Sequence, residues 1–256
     1  MDNPLDHTGR VVLVTGGTRG IGRAIAERYA AAGATVVVCG RTDPGGGGGE
    51  PDFVACDVRD ADAVTELVDT VVARHGRLDV AVNNAGGAPW ADSATSSQRF
   101  TERVLALNLI APFVVAQAAN RVMQGQDGGG AIVNIASVSG VRPSPGSAAY
   151  GAAKAGLLSL TRTLAVEWAP AVRVNAVVAG LIATEQAEAT YGDEATQARV
   201  AATVPAGRLG TGDDVAGACL YLSSPAAAYV TGVALPVHGG DQWPSFLSAY
   251  HQGNDR

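Results

Sequence analysis

Short runs rich in valine and isoleucine alternate along the chain with longer, alanine-rich stretches of helical length. The apolar runs predict strands at Arg10–Thr15, Thr35–Cys39, Asp52–Cys56, Leu78–Val82, Ala131–Ile135, Arg173–Val178 and Val233–Val237. Their hydrophobicity is continuous rather than alternating, which is typical of parallel strands buried on both faces. The longer stretches predict helices at Ile21–Ala32, Asp60–His75, Gln98–Gln124, Ala148–Trp168 and Asp213–Leu222. Repeated strand–helix alternation predicts an α/β fold with a doubly wound parallel sheet.

Two segments interrupt this alternation. Gly45 to Gly49 are consecutive glycines where a crossover helix is usual, and such a run predicts a flexible loop instead. Leu181–Pro205 is polar and alanine-rich and follows a strand, which predicts an irregular segment covering a ligand site. No linker or change of composition divides the chain. We therefore expect one domain over residues 1–256, with terminal tails at 1–8 and 241–256.

Composition narrows the class of protein. The chain is 47% hydrophobic and 16% charged, with a net charge of −6 and no block of basic residues, which argues against a nucleic-acid or anionic-membrane surface. We find no apolar run long enough for a membrane helix, and no secretory leader pattern at the N-terminus. Cys39, Cys56 and Cys219 lack a CxxC spacing, which favours reduced thiols in the cytoplasm. The four histidines lack metal-ligand spacing, so we expect no metal site.

A glycine-rich turn follows the first strand, with the spacing Gly16-x-x-x-Gly20-x-Gly22 before a helix. A turn without β-carbons lets backbone amides approach a pyrophosphate at the helix N-terminus, where the helix dipole favours anions. A glycine turn alone could be structural, but its position between first strand and first helix predicts a Rossmann-type dinucleotide site. The other residues of the turn expected at the cofactor are Thr18, Arg19 and Ile21.

The end of the second strand indicates which dinucleotide binds. An NAD site usually has an acidic residue there for the ribose 2′-hydroxyl, whereas this chain has Gly40-Arg41-Thr42 and no acid until Asp43. Arg41 and Arg19 could pair with a 2′-phosphate through bidentate hydrogen bonds, although two solvated arginines would read the same in sequence. The pattern favours NADP over NAD.

Tyr150 and Lys154 are four residues apart on a predicted helix, which puts both side chains on one face. Lys154 is the only lysine of the chain. A nearby ammonium favours the phenolate and so lowers the pKa of a tyrosine from about 10. The pair is therefore a candidate proton donor and acceptor, although an isolated YxxxK could be an ordinary surface pair.

With these motifs, residues Gly9 to Gly240 resemble the short-chain dehydrogenase/reductase family. The family's NNAG sequence appears as Asn83-Asn84-Ala85-Gly86, its helix asparagine matches Asn108, and its serine matches Ser137, thirteen residues before Tyr150. Asp57-Val58 matches the acid and neighbour on the adenine side. The departures are Ala179-Gly180, where the family has Pro-Gly, and His238, where it commonly has Asp.

The resemblance implies catalytic roles for Asn108, Ser137, Tyr150 and Lys154. Tyr150 would be the general acid in carbonyl reduction and the general base in alcohol oxidation, and Lys154 would bind the nicotinamide ribose and lower the Tyr150 pKa. Ser137 would orient the substrate oxygen, and Asn108 would hold a water linking Lys154 to solvent. Ser139 is the rival serine, read as a solvated loop hydroxyl. The implied cofactor contacts also include Asp57, Val58, Asn84, Ala85, Gly86, Gly180, Ile182 and Thr184.

The resemblance thus implies an NADPH-dependent carbonyl reductase of ketoreductase type, assembled as a homotetramer through the helices Gln98–Gln124 and Ala148–Trp168. The alternatives are an NAD(P)-dependent alcohol, steroid or sugar dehydrogenase, and an NADP-binding sensor or scaffold without turnover. Position beside the motifs predicts an apolar substrate pocket, with Arg142 as a handle for an acidic group and His238 as a structural or subunit-contact residue. The expected pocket neighbours are Trp90, Val141, Pro143, Pro145, Leu181 and Ile182.

Overall fold

A computed structural model describes residues 3–43 and 51–241. These residues form a seven-stranded, all-parallel sheet in the order β3-β2-β1-β4-β5-β6-β7. The strands are β1 (Val11–Thr15), β2 (Thr35–Gly40), β3 (Asp52–Ala55), β4 (Val80–Asn83), β5 (Gly130–Ser137), β6 (Val172–Ala179) and β7 (Ala234–Val237). The predicted Rossmann-type α/β fold class is confirmed, and each predicted strand overlaps an observed one.

The α-helices are α1 (Gly20–Ala31), α2 (Ala61–His75), α3 (Gln98–Leu105), α4 (Ala111–Met123), α5 (Ala148–Glu167), α6 (Ala187–Tyr191), α7 (Glu194–Ala201) and α8 (Gly212–Ser223). Helices α1 and α8 cover one face of the sheet, where Ile25, Tyr29 and Val215 are buried. Helices α2, α4 and α5 cover the other face, where Leu67 and Val115 are buried. Burial on both faces accounts for the continuous hydrophobicity of the central strands.

The prediction of one helix over Gln98–Gln124 is wrong in its middle. A π-helical turn, Ala106–Ile110, separates α3 from α4. Such single π turns are rare and frequently occur at functional sites, and this one carries Asn108. The side-chain Nδ2 atom of Asn108 donates a hydrogen bond to the backbone carbonyl of Val104 at 2.9 Å. Periodicity alone could not reveal the turn, because one extra residue barely alters the apolar pattern.

The prediction that Leu181–Pro205 is irregular is also wrong in part, because α6 and α7 lie within it. Asp193 caps α7 by accepting a hydrogen bond from the amide of Thr196 at 2.9 Å. Neither of these short helices has a buried residue, which explains why no apolar stripe predicts them. The predicted Gly45–Gly49 loop lies outside the described residues, as do residues 1–2 and 242–256 of the predicted tails.

Residues 3–8 are anchored rather than a loose tail. His7 is fully buried, and its Nε2 atom lies 3.0 Å from the hydroxyl of Ser223 at the end of α8. The same hydroxyl lies 2.7 Å from the phenolic oxygen of Tyr29. These contacts join the N-terminal segment to α1 and α8.

The helical stretch 98–123 is the one segment among the described residues that is long and apolar enough to cross a membrane by length and composition. The sequence expectation that no such segment exists is therefore too strict. About 44% of its most apolar window is buried inside the fold, and the core helix of a soluble protein meets the same criterion. The stretch is weak evidence for a membrane span.

Candidate active site

A cleft of about 860 Å³ opens at the carboxyl ends of the strands. It lies where the sheet order reverses between β1 and β4, which is where open α/β sheets bind ligands. The predicted site residues that line it are Gly16, Thr18, Arg19, Gly20, Ile21, Gly22, Arg41, Asp57, Val58, Asn84, Ala85, Gly86, Ser137, Tyr150, Lys154, Gly180, Ile182 and Thr184. The structure therefore brings together the predicted residues from all parts of the chain, and Asn108 alone among them is not in the lining.

The glycine turn is built by close approaches that a side chain would block. Gly20 has a φ of +53°, a left-handed conformation that glycine adopts without strain. At Gly22, an added β-carbon would collide with the carbonyl of Gly16 and the amide of Asn84. The turn thus brings bare backbone to the start of α1, and its residues fit a cofactor pyrophosphate.

The side chain of Asn84 supports this turn. Its Nδ2 atom donates to the carbonyl of Thr15 at 2.9 Å and to that of Gly16 at 3.2 Å. The hydroxyl oxygen of Thr15 in turn accepts hydrogen bonds from the backbone amides of Asn84 and Ala85, each at 3.0 Å. Asn84 therefore ties the end of β4 to the glycine turn, and Thr15 is a supporting residue that the sequence analysis missed because a threonine ending a strand is ordinary.

Charged side chains gather at the far end of the cleft, beyond β2 and β3. Arg19 and Arg41 are both exposed and both line the cleft. Asp57 pairs with Arg59, whose Nε atom lies 2.9 Å from Oδ1 of the carboxylate. This ion pair is the main cause that lowers the pKa of Asp57 to about 2. Arg59 lines the cleft too and was not predicted, since a surface arginine two residues after an aspartate gives no distinct signal.

Two thiols lie together beneath this end of the cleft. Cys39 is the penultimate residue of β2 and Cys56 directly follows β3, and both are buried and line the cleft. Their side chains hydrogen bond to each other, and this bond, followed by burial, raises the pKa of Cys39. The cysteines are distant in sequence, yet the parallel pairing of β2 with β3 makes these two neighbours. All three cysteines are free thiols.

Tyr150, Lys154 and Ser137 meet at the other end, where β5 faces the start of α5. Lys154 is 3% exposed, and its Nζ atom donates to the carbonyl of Ile135 at 2.8 Å. Burial lowers the pKa of Lys154 to about 8, so the ammonium is the major form at neutral pH. Ser137 is a side-chain hydrogen-bond partner of Tyr150. The hydroxyl of Ser137, the phenol of Tyr150 and the buried ammonium of Lys154 therefore line the same part of the chain's cleft.

The expected lowering of the Tyr150 pKa is not found in the chain by itself. Burial raises the pKa of Tyr150 above its ordinary value, and the hydrogen bond with Ser137 offsets this only in part. Tyr191 of α6 adds to the rise through its own negative form. Its phenol donates to the carbonyl of Ile182 at 3.3 Å, and it lines the cleft. The sequence gives no signal for Tyr191, because the segment that carries it shows no clear periodicity.

Asn108 lies behind the site and is fully buried. Its Nδ2 atom donates to the carbonyl of Gly87 at 3.0 Å, and its Oδ1 atom accepts the amide of Gly87 at 2.8 Å. A β-carbon added to Gly86 would lie 2.8 Å from Oδ1 of Asn108 and 3.3 Å from Nζ of Lys154. The side chain of Asn108 thus fixes the loop after β4 against Lys154, whereas its expected water-holding role remains a prediction.

The segment after β6 closes the cleft from above. Gly180 packs so tightly on His238 that an added β-carbon would lie 2.6 Å from that of His238. Ile182 bridges to Gly210, and Thr184 lies over the glycine turn, its Cγ2 atom 3.5 Å from an ideal β-carbon at Gly20. The contact with Gly180 is consistent with the structural reading of His238.

The substrate side differs from the expectation at Arg142. Its guanidinium pairs with Asp241 at 3.3 Å, so it is not a free handle for an acidic substrate. Trp90 is 77% exposed and packs against Gly146, which leaves its indole on the surface. The hydroxyl of Ser139 is half-buried and lies 3.0 Å from that of Ser144 in a serine cluster, so it is not the solvated loop hydroxyl that the sequence predicts.

Comparison with known proteins places the chain in a family. A family model described as enoyl-(acyl carrier protein) reductase matches residues 16–241. The 3-oxoacyl-[acyl-carrier-protein] reductase MabA of Mycobacterium avium is 43% identical over 236 residues, which cover 90% of this chain and 89% of that protein. L-rhamnose 1-dehydrogenase (NAD(P)(+)) of Azotobacter vinelandii is 37% identical over 245 residues, which cover 90% of this chain and 96% of that protein.

Among solved structures, a protein of Beutenbergia cavernae with NADP bound at low occupancy is 38% identical. The structural match covers 93% of this chain and 98% of the Beutenbergia cavernae chain, with a TM-score of 0.85. The chain belongs to the short-chain dehydrogenase/reductase family and is an oxidoreductase of that family. Among the described residues, no group of three or more His, Cys, Asp or Glu side chains could hold a metal ion.

Proposed function

We propose that the protein is an NADPH-dependent carbonyl reductase in which Tyr150 is the general acid. The observation that carries the proposal is the meeting of Ser137, Tyr150 and Lys154 in the same cleft as the glycine turn. When bound, NADPH supplies the hydride. The carbonyl carbon gains that hydride, and the carbonyl oxygen gains the phenolic proton of Tyr150. Ser137 hydrogen bonds to the oxygen as its negative charge develops.

The raised pKa of Tyr150 supports the direction of this proposal. At neutral pH the phenol keeps its proton and can donate it, as carbonyl reduction requires. Lys154 keeps its charge near the reacting oxygen at neutral pH because its pKa is about 8. Its buried ammonium would also hold the nicotinamide ribose, which fits the position of Nζ beside Gly86.

The adenosine end of the cleft supports NADP as the cofactor. Arg19 and Arg41 follow β1 and β2 and both line the cleft, and β2 ends at Gly40 rather than at an acidic residue. Two guanidinium groups suit a 2′-phosphate dianion. Asp43 also lines the cleft, so the preference depends on the balance of these charges.

The test is NADPH consumption over a panel of ketones, β-ketoacyl thioesters, quinones and steroids. The wild type should turn over at least one class, and Tyr150→Phe should lose at least about a thousandfold in turnover while it still binds NADPH. Tyr221→Phe is the matched control, since Tyr221 is 38% exposed on α8, outside the cleft. Substantial activity in Tyr150→Phe would refute the assignment, and an inert wild type that binds NADPH tightly would favour the non-catalytic alternative.

The second candidate function is oxidation of a sugar or secondary alcohol by the same site. The similarity to L-rhamnose 1-dehydrogenase (NAD(P)(+)) favours it. The same panel run with NADP⁺ and aldoses or polyols separates the two directions. We further propose that the chain forms a single catalytic domain, that the protein is cytoplasmic, and that it assembles as a homotetramer. Light scattering of the purified protein measures the oligomeric state directly.

A further inference from the structure

The carboxylate of Glu185 binds the start of the first helix. Glu185 follows β6, in the segment that closes the cleft, and its Oε2 and Oε1 atoms lie 3.1 and 3.3 Å from the backbone nitrogen of Gly20. The Gly20 amide donates to the carboxylate across 165 residues of sequence. Both residues line the cleft.

The position matters because α1 has no cap of its own. Its N-cap residue, Arg19, makes no side-chain cap hydrogen bond, and the first turn has no acidic residue. The first amides of a helix need acceptors, and the partial positive charge there attracts anions. Glu185 satisfies this need from a distant segment. On the function proposed above, the same amides are those that a cofactor pyrophosphate would use.

We propose that Glu185 is an internal competitor of the cofactor pyrophosphate and sets the affinity for the dinucleotide. The carboxylate and a phosphate oxygen cannot both accept the Gly20 amide at hydrogen-bonding distance. Glu185 must therefore leave when the dinucleotide binds, and its charge repels the pyrophosphate while it stays near. Thr184, the residue before Glu185, also lies against the glycine turn, so release of Glu185 would loosen this part of the segment from Gly20.

A basic residue, Arg23, could attract the carboxylate of Glu185 after it leaves the Gly20 amide. Arg23, about one helical turn into α1, also lines the cleft, and it pairs with Glu27 at 2.8 Å. The pKa of Arg23 is raised mainly by Glu27 and also by the charge of Glu185. The displaced carboxylate thus has a cation within electrostatic reach, which limits the cost of its release.

The experiment compares two charge-removing variants of one segment. Glu185→Gln removes the competing charge, and Glu188→Gln removes an equal charge from an exposed residue of α6 that does not line the cleft. NADPH dissociation constants are measured by fluorescence titration without substrate. We expect Glu185→Gln to bind about two- to tenfold more tightly than wild type, as removal of one anion from a helix N-terminus implies, and Glu188→Gln to be unchanged.

A second readout uses the chain without cofactor. Hydrogen-exchange mass spectrometry of peptides that span Gly20 should show faster exchange in Glu185→Ala than in wild type or Glu188→Gln, because the amide has lost its acceptor. A purely structural role for Glu185 would weaken NADPH binding in Glu185→Gln. Equal or weaker binding than in Glu188→Gln, or unchanged exchange at Gly20, would overturn the proposal.

These outcomes are independent of turnover. If the wild type binds NADPH but reduces no carbonyl, the proposed function fails while the competition between Glu185 and the pyrophosphate stands. If only NADH binds, the same titration is run with NADH, since both dinucleotides carry the pyrophosphate. If neither dinucleotide binds to wild type or to the variants, the proposal for Glu185 fails as well.

Discussion

The Nζ atom of Lys154 lies 5.6 Å from the centre of the Tyr150 ring, on the next turn of α5. The ammonium lies beside the phenol ring, while its direct hydrogen bond goes to the carbonyl of Ile135. The lysine is buried, and burial is the cause that lowers its pKa to about 8. A charge held in this way costs folding free energy, and we attribute its presence to the chemistry of Tyr150.

The first prediction is that removal of this charge stabilises the fold and destroys activity. Lys154→Met keeps much of the side-chain volume without the desolvated ammonium, and we expect the free energy of unfolding at pH 7 to rise by about 1–3 kcal/mol. Turnover should be lost. Urea denaturation, with Lys154→Arg as the charged control, measures the effect. A loss of stability in Lys154→Met would mean that the bond to Ile135 outweighs the desolvation cost.

The same reasoning gives a pH dependence of the stability difference. Lys154 has a folded pKa of about 8 and an unfolded value of 10.5, so the unfolded chain binds more protons between these values. The stability cost of the ammonium is therefore full below the folded pKa and shrinks as the pH rises from there toward the unfolded value. The advantage of Lys154→Met over wild type should shrink over this window and stay constant below it.

The second prediction concerns the pH profile of the two reaction directions. Reduction needs a protonated Tyr150, whose pKa is raised, and a charged Lys154, whose pKa is about 8. We expect kcat/KM for reduction to be flat near neutral pH and to fall above about pH 8, whereas oxidation should rise with pH as Tyr150 ionises. Initial rates from about pH 6 to about pH 10, with cofactor affinity measured alongside, test this. Parallel profiles in the two directions would contradict the assignment of Tyr150.

The sequence predicted the fold, and it also predicted the residues that we propose as catalytic, because each has a local signature. Continuous apolar runs indicate buried parallel strands, and the spacing of Tyr150 from Lys154 places them on one helix face. Contacts between distant segments have no such signature. The bond from Gly20 to Glu185, the pairing of Arg142 with Asp241 and the neighbouring thiols of Cys39 and Cys56 depend on how loops and strands meet in space. The pKa of Tyr150 was mispredicted for the same reason, since burial is a property of the folded chain.

The third prediction tests the choice of dinucleotide. Arg41 is exposed at the end of β2 and lines the cleft, as does Arg19 of the glycine turn. Arg41→Ala should weaken NADPH binding by about ten- to a hundredfold and change NADH binding little, because only NADPH carries the 2′-phosphate that a guanidinium would hold. Arg28→Ala removes an equal charge from the far end of α1 and serves as the control. Titrations of wild type and variants with NADPH and with NADH measure the two affinities. Equal losses of affinity for both dinucleotides, or no loss, would remove the basis for NADP and favour the NAD-linked alternative.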